Sequence, residues 1–126
     1  MSGGLTFPHD WPEPCPPADA NAADTVIYRR VLNNPPLPAD FLSYRELGKR
    51  VSPGKACQAC GLSVFVTRED AVHNRELFPS AGQFIAAGRL LPCHGKTMHT
   101  PSGTQPAHYT WWCYDGVARS TLFKVI

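Results

Sequence analysis

Two short phrases hold the residues best suited to chemistry: Val26-Ile27-Tyr28-Arg29-Arg30 and Gly61-Leu62-Ser63-Val64-Phe65-Val66-Thr67. The first reads as a strand that carries an arginine among apolar residues. A guanidinium is costly to bury without an anionic partner, and it grips phosphate or carboxylate through paired N–H groups. In an alternating strand Arg29 shares a face with Ile27 and Val31, and Arg30 takes its place if the faces are reversed. The second phrase puts Leu62, Val64 and Val66 on one face and Ser63, Phe65 and Thr67 on the other. Such a strand is half core and half pocket. Ser63 offers a hydroxyl to a ligand, and Phe65 offers a ring to stack on it. Together the phrases suggest a small site for a phosphate-bearing ligand.

A third group lies near the end of the chain. His108, Thr110 and Trp112 fall on one face of a strand, with Tyr109, Trp111 and Cys113 on the other. The first face has the makings of a ligand wall; the alternative is a Trp-rich hairpin that packs the core, which at least one of Trp111 and Trp112 must do. His94, Lys96, His99 and His108 supply the base, the acid and the cation of a metal-free ribonuclease. Cys57-x-x-Cys60 is half of a zinc site, whose other half would come from Cys93, His94, His99 or Cys113. The pair does not open a helix after a strand, which argues against a thioredoxin-like redox role. Cys93 and His94 make a poor nucleophile and base, because adjacent residues on an extended chain point apart.

The elements that must position these residues follow from pattern and punctuation. Residues 1–24 hold five prolines and a small polar stretch, and they read as an arm that Phe7 and Trp11 can dock. The first strand runs over 25–32 and ends before Pro35, Pro36 and Pro38. A short helix is expected from Asp40 to Gly48, then a loop over 49–60 and the second strand over 61–67. Thr67 with Asp70 three residues on predicts a capped helix to about Leu77. A third strand follows at 83–91, where Gly88 marks a bulge or a close approach, and 92–106 reads as loop. Asp115-Gly116 predicts a hairpin that pairs 108–114 with 117–126. The expected fold is a compact α+β domain over 25–126, with mostly antiparallel sheets and two short helices.

Bulk properties bound the function. The 126 residues suit one domain, and a hydrophobic fraction of 43% supports a packed core. A net charge of +2 is too small to argue for nucleic acid or an anionic membrane. No apolar run spans a bilayer or forms a signal-peptide core, so a cytoplasmic protein is expected, or one delivered into a target cytoplasm without a cleavable signal. Five cysteines, an odd number, argue against a disulfide framework.

The order Tyr28-Arg29, then Gly61-Leu62-Ser63-Val64-Phe65 leading into Glu69-Asp70-Ala71, then His108-Tyr109-Thr110, resembles a known family. It is similar to the small bacterial toxins with an ADP-ribosyltransferase-like fold, of the type VI secretion effector and toxin–antitoxin kinds. The resemblance covers about residues 25–126 and implies an NAD-dependent glycosyl transfer. NAD would be the substrate, and ADP-ribose would go to an unknown intracellular macromolecule or to water. A cognate immunity or antitoxin protein is the implied partner. Arg29, Ser63 and His108 are the implied catalytic residues, and Tyr28, Arg29, Gly61, Ser63, Phe65 and Thr110 would contact NAD. The chain departs from that family in one respect. After Glu76 it has no glutamate, and its only carboxylate side chain is Asp115. Either His108 substitutes for the acidic residue, or NAD is hydrolysed, or the site binds without turnover. A histidine-based ribonuclease toxin and a non-enzymatic, zinc-stapled binding module are the alternatives.

Overall fold

The computed structural model describes residues 5–126. Seven strands form two antiparallel sheets, accompanied by one α-helix and several single 3-10 turns. The strands are β1 (Asn21–Ala22), β2 (Thr25–Val31), β3 (Leu62–Val64), β4 (Phe84–Leu90), β5 (Gly95–His99), β6 (Tyr109–Cys113) and β7 (Phe123–Val125). The first sheet has the order β1-β5-β6-β3, and the second has the order β2-β4-β7. Among the described residues the sheets are joined by one backbone bridge, where the amides and carbonyls of Tyr28 and Phe65 exchange hydrogen bonds of 2.8 and 2.9 Å. The α+β expectation therefore holds, with the sheets mostly built from non-local pairs.

The main core fills the space between the sheets. Ile27 and Val31 from β2, Leu62 and Val64 from β3, Ala86 and Leu90 from β4, Trp111 and Cys113 from β6, and Phe123 from β7 pack together there with Phe41. Trp111 is fully buried, and its indole N–H donates to the His94 carbonyl at 3.1 Å. Burying the ring therefore leaves no orphaned donor. The opposite face of β6 carries Trp112, which packs with Cys60, Met98, Phe7 and Trp11 in a second cluster. Gly95, which opens β5, sits at φ +133°, where a Cβ would run into the carbonyl of Trp112. That backbone contact is what lets β5 lie flush on β6.

The helix α1 (Arg68–Leu77) begins as expected: the Thr67 hydroxyl accepts from the Asp70 amide at 3.1 Å. Gly88 faces the backbone of Leu122, 2.6 Å from where its Cβ would stand, so close approach explains that glycine. The arm docks as its aromatics suggested. Phe7 stacks between Trp11 and Tyr114, the Thr6 carbonyl accepts from the Asp115 amide, and β1 extends the first sheet.

Four expectations fail for identifiable reasons. The helix expected from Asp40 is a 3-10 turn over Pro38–Phe41 followed by one isolated turn. Ser43 and Glu46 cap that turn reciprocally, and Gly48 at φ +71° ends it. The loop expected over 92–106 contains β5, whose Gly-Lys-Thr-Met-His lacks an apolar alternation. The terminal hairpin does not form. The turn at Asp115-Gly116 exists, but residues 117–122 cross between the sheets, so β6 pairs β5 and β3 while β7 pairs β4. Arg119 fixes that crossing through the Phe41 carbonyl and both carboxylate oxygens of Glu46. Finally, Cys15 and Cys57 form a disulfide across a sequence separation of 42 residues, and Cys60, Cys93 and Cys113 remain free.

Closing a loop of that size removes conformational freedom from the unfolded chain and contributes on the order of 2–4 kcal/mol. Reduction, or Cys15→Ser, is expected to lower the unfolding free energy by that amount, read as a lower urea midpoint, without changing the secondary structure seen by circular dichroism. An unchanged midpoint would show that the arm docks without help from the bond.

Candidate functional site

The site grows from the alternation of β3. Leu62 and Val64 point into the main core, so Ser63 must point away from it. Ser63 pairs with Thr110 across β6, and His108 lies two residues further along the same face. That diagonal brings the Ser63 Oγ within 2.8 Å of the His108 Nε2. The other ring nitrogen, Nδ1, meets the Thr100 carbonyl at 3.1 Å and the Thr100 hydroxyl at 2.9 Å. The Thr100 hydroxyl in turn bonds the Thr110 hydroxyl at 2.8 Å.

We assign the ring proton to Nδ1, where it satisfies the Thr100 carbonyl, a group that only accepts; the Thr100 hydroxyl accommodates either tautomer. Burial pushes the pKa of His108 below the ordinary value of 6.5, with Lys55 and His99 adding to the fall against the Thr100 hydrogen bond. The ring is therefore neutral at pH 7, Nε2 is bare, and the Ser63 hydroxyl donates to it. Ser63 itself is exposed, whereas His108 is 8% exposed.

Arg29 reaches the same strand from the second sheet. It lies on the core-facing side of β2, and its guanidinium passes over the Phe41 ring at 5.7 Å. Nη1 donates to the Ser63 carbonyl at 2.8 Å, and Nε donates to the Asp40 carbonyl at 3.0 Å. No carboxylate among the described residues pairs with it. The Asp40 carboxylate is occupied by the amides of Leu32 and Leu37 and by the Asn33 side chain. Burial lowers the pKa of Arg29 to about 10, so it stays charged at neutral pH. Its Nη2 has no partner among the described residues.

Two adjoining cavities, about 350 and 560 Å³, open on either side of Ser63. Ser63, Tyr44 and Gln105 line both. The smaller lies over the outer face of β3 and β6 and is walled by Lys55, Gln58 and His108. The larger runs along the seam between the sheets and takes in Arg29, Lys49 and Phe65. Asp40 is the sole carboxylate lining either cavity, and its oxygens are engaged as described. The joined crevice is therefore cationic, and its combined size falls in the range of small-molecule sites.

The residues expected at the site divide into three groups. Arg29, Ser63, Phe65 and His108 converge, and Phe65 meets His108 edge-on at 6.2 Å between ring centroids. Gly61 lines the smaller cavity, and a Cβ there would strike the Thr110 methyl group. Thr110 supports His108 through Thr100 and is 1% exposed. Tyr28 contributes its backbone to the seam, while its ring packs with Phe65, Ala71 and Ile85. Arg30 is structural: it ties the carbonyl of Asn74, inside α1, to those of Pro79 and Gly82 beyond the helix end.

Of the residues weighed for a ribonuclease, His99 stays close enough to His108 to influence its charge, whereas Lys96 pairs with Trp112, four residues and roughly 13 Å along the strand from His108, and the His94 Nδ1 accepts from the Leu91 amide. The zinc expectation fails. Cys57 is consumed by Cys15, and no cluster of three or more candidate ligands exists among the described residues. Thr100, Gln105, Tyr44 and Lys55 were not foreseen at the site: Thr100 and Gln105 lie in loop, Lys55 ends a single 3-10 turn, and Tyr44 falls in the segment expected as a helix. No known protein family, curated protein or solved structure matches this chain.

A depressed histidine pKa has a thermodynamic sign. The unfolded chain binds the His108 proton more readily than the folded one, so stability from this group is full above pH 6.5 and is lost as pH falls toward the lowered folded value. Urea midpoints are expected to drop between pH 7.5 and 5, with a shallower drop in His108→Gln. Equal slopes in the two proteins would mean that His108 titrates normally.

Proposed function

We propose that the crevice binds NAD and that the domain transfers ADP-ribose from it to an acceptor hydroxyl or to water. The observation that carries this reading is the convergence of three strands on Ser63. The β2 guanidinium holds its carbonyl at 2.8 Å and the imidazole at the head of β6 meets its hydroxyl at 2.8 Å. The ADP-ribosyltransferase-like toxins that the sequence resembles use a first-strand arginine, a serine-bearing strand and a late-strand residue in this order. A cationic crevice with a free guanidinium edge suits a pyrophosphate, and Phe65 beside Ser63 suits a planar ring. An ADP-ribosyltransferase-like fold is part of the proposal, and so are an intracellular target and a protein inhibitor.

The chemistry must manage without a carboxylate. Cleavage of the nicotinamide–ribose bond develops positive charge on the sugar, which an acidic residue would ordinarily stabilise. Here neutral His108 takes the proton of the incoming hydroxyl, either directly or through the Ser63 hydroxyl that already sits on Nε2. Nicotinamide leaves with the bonding pair as a neutral molecule. Neutralising the nucleophile in this way suits hydrolysis or transfer to a hydroxyl. The Cys15–Cys57 bond fits a chain that passes through an oxidising compartment before reaching a target cytoplasm. Among the described residues no helix is long and apolar enough to cross a membrane.

Purified protein is expected to release nicotinamide from NAD, and His108→Ala is expected to slow that release at least about 100-fold. Arg29→Ala is expected to weaken NAD binding measured by calorimetry. Wild-type protein that neither binds nor consumes NAD would overturn the reading.

A further inference from the structure

We propose that Ser63 is an activated nucleophile, able to take an acyl group from a small ester held in the smaller cavity. The arrangement has the three parts that such a serine needs. The hydroxyl is exposed and lies 2.8 Å from the imidazole Nε2, which is bare in the tautomer that satisfies the Thr100 carbonyl. The imidazole is held in the required tautomer by the Thr100 carbonyl at 3.1 Å. A third group that orients the base is the general signature of serine activation, whichever fold supports it. Thr100 is the positioning residue, and the Thr110 hydroxyl fixes the Thr100 side chain at 2.8 Å.

The surroundings define the substrate. The cavity of about 350 Å³ has room for a small ester, and Lys55, Gln58, Gln105, Tyr44 and Ser52 place side-chain donors on its wall. These donors favour the negative charge that develops on a carbonyl oxygen under attack. Their cationic member favours an ester that also bears an acid group.

The step balances within the protein. The Oγ of Ser63 bonds to the carbonyl carbon, its proton passes to the His108 Nε2, and the alcohol leaves with that proton. Water, deprotonated by the same nitrogen, then releases the acid and restores the serine. No oxidant, metal or cofactor takes part. The inference is independent of NAD, since it concerns what the hydroxyl does to any electrophile placed before it.

Di-isopropyl fluorophosphate tests this directly. Attack forms an Oγ–P bond, breaks the P–F bond and sends fluoride out as the proton moves to His108. One equivalent of label on Ser63 is expected by peptide mapping of the folded, oxidised full chain, and none at that position in Ser63→Ala. The labelling rate should climb with pH to a plateau with its midpoint below 6.5, and His108→Gln should slow it at least about 100-fold. The wild-type pH profile needs no variant to fold. Ser63 left unlabelled, or labelled at a rate that neither pH in that range nor His108→Gln alters, overturns the proposal. Either result leaves the NAD reading to its own assay.

Discussion

The guanidinium of Arg29 is the interaction on which the rest of the molecule depends. Among the described residues the two sheets share only one backbone bridge, at Tyr28 and Phe65. Arg29 crosses the same line a residue later and binds two carbonyls, one on β3 and one in the turn that follows β2. Hydrogen bonds from a charged donor contribute on the order of 1.5–3 kcal/mol each, and leaving a carbonyl unpaired costs a similar amount. Apolar packing alone sets no register between sheets, because it is non-directional. The planar fork of Arg29 supplies the missing direction, and it leaves one edge over for a ligand. Structural and binding duties thus fall on the same side chain.

Everything at the site is positioned from that seam. Holding the Ser63 carbonyl fixes the rotation of β3, which sends Leu62 and Val64 inward and the Ser63 hydroxyl outward. The hydroxyl then meets an imidazole whose orientation is set elsewhere, by Thr100 and Thr110. The third wall is the segment around Lys55 and Gln58, tied down by the disulfide at Cys57 and by the Trp112 indole, which donates to the Cys57 carbonyl at 2.9 Å. The arm therefore acts at a distance: it braces a wall of the crevice without lining it.

Much of this was legible in the sequence wherever a residue's role is local. The alternation around Ser63, the capped start of α1, the close approach at Gly88 and the docking aromatics of the arm follow from spacing and side-chain type. What escaped was decided by distant partners. Asp115-Gly116 makes its turn, yet Arg119 then carries the chain to the other sheet, because Glu46 and the Phe41 carbonyl await it there. β5 has almost no apolar pattern, since a strand flanked by β1 and β6 can be held by its ladders and by Gly95. Cys15 and Cys57 have nothing in common until Trp112 gathers both around its ring. The convergence of Arg29, Ser63 and His108 could be suspected, but the Thr100 carbonyl that decides the imidazole's tautomer could not.

The division of the chain between sheets also has a mechanical side. Residues 21–22 belong to one sheet and residues 123–125 to the other. A force drawing the two ends apart loads the line where the sheets meet, which among the described residues is held by one backbone bridge, the Arg29 and Arg119 straps and the apolar core between the sheets. The strongest ladders, such as the seven-residue register of β2 with β4, lie off that line and are spared. Under tension the domain should part like a book along its spine, with each cover intact and the crevice destroyed first.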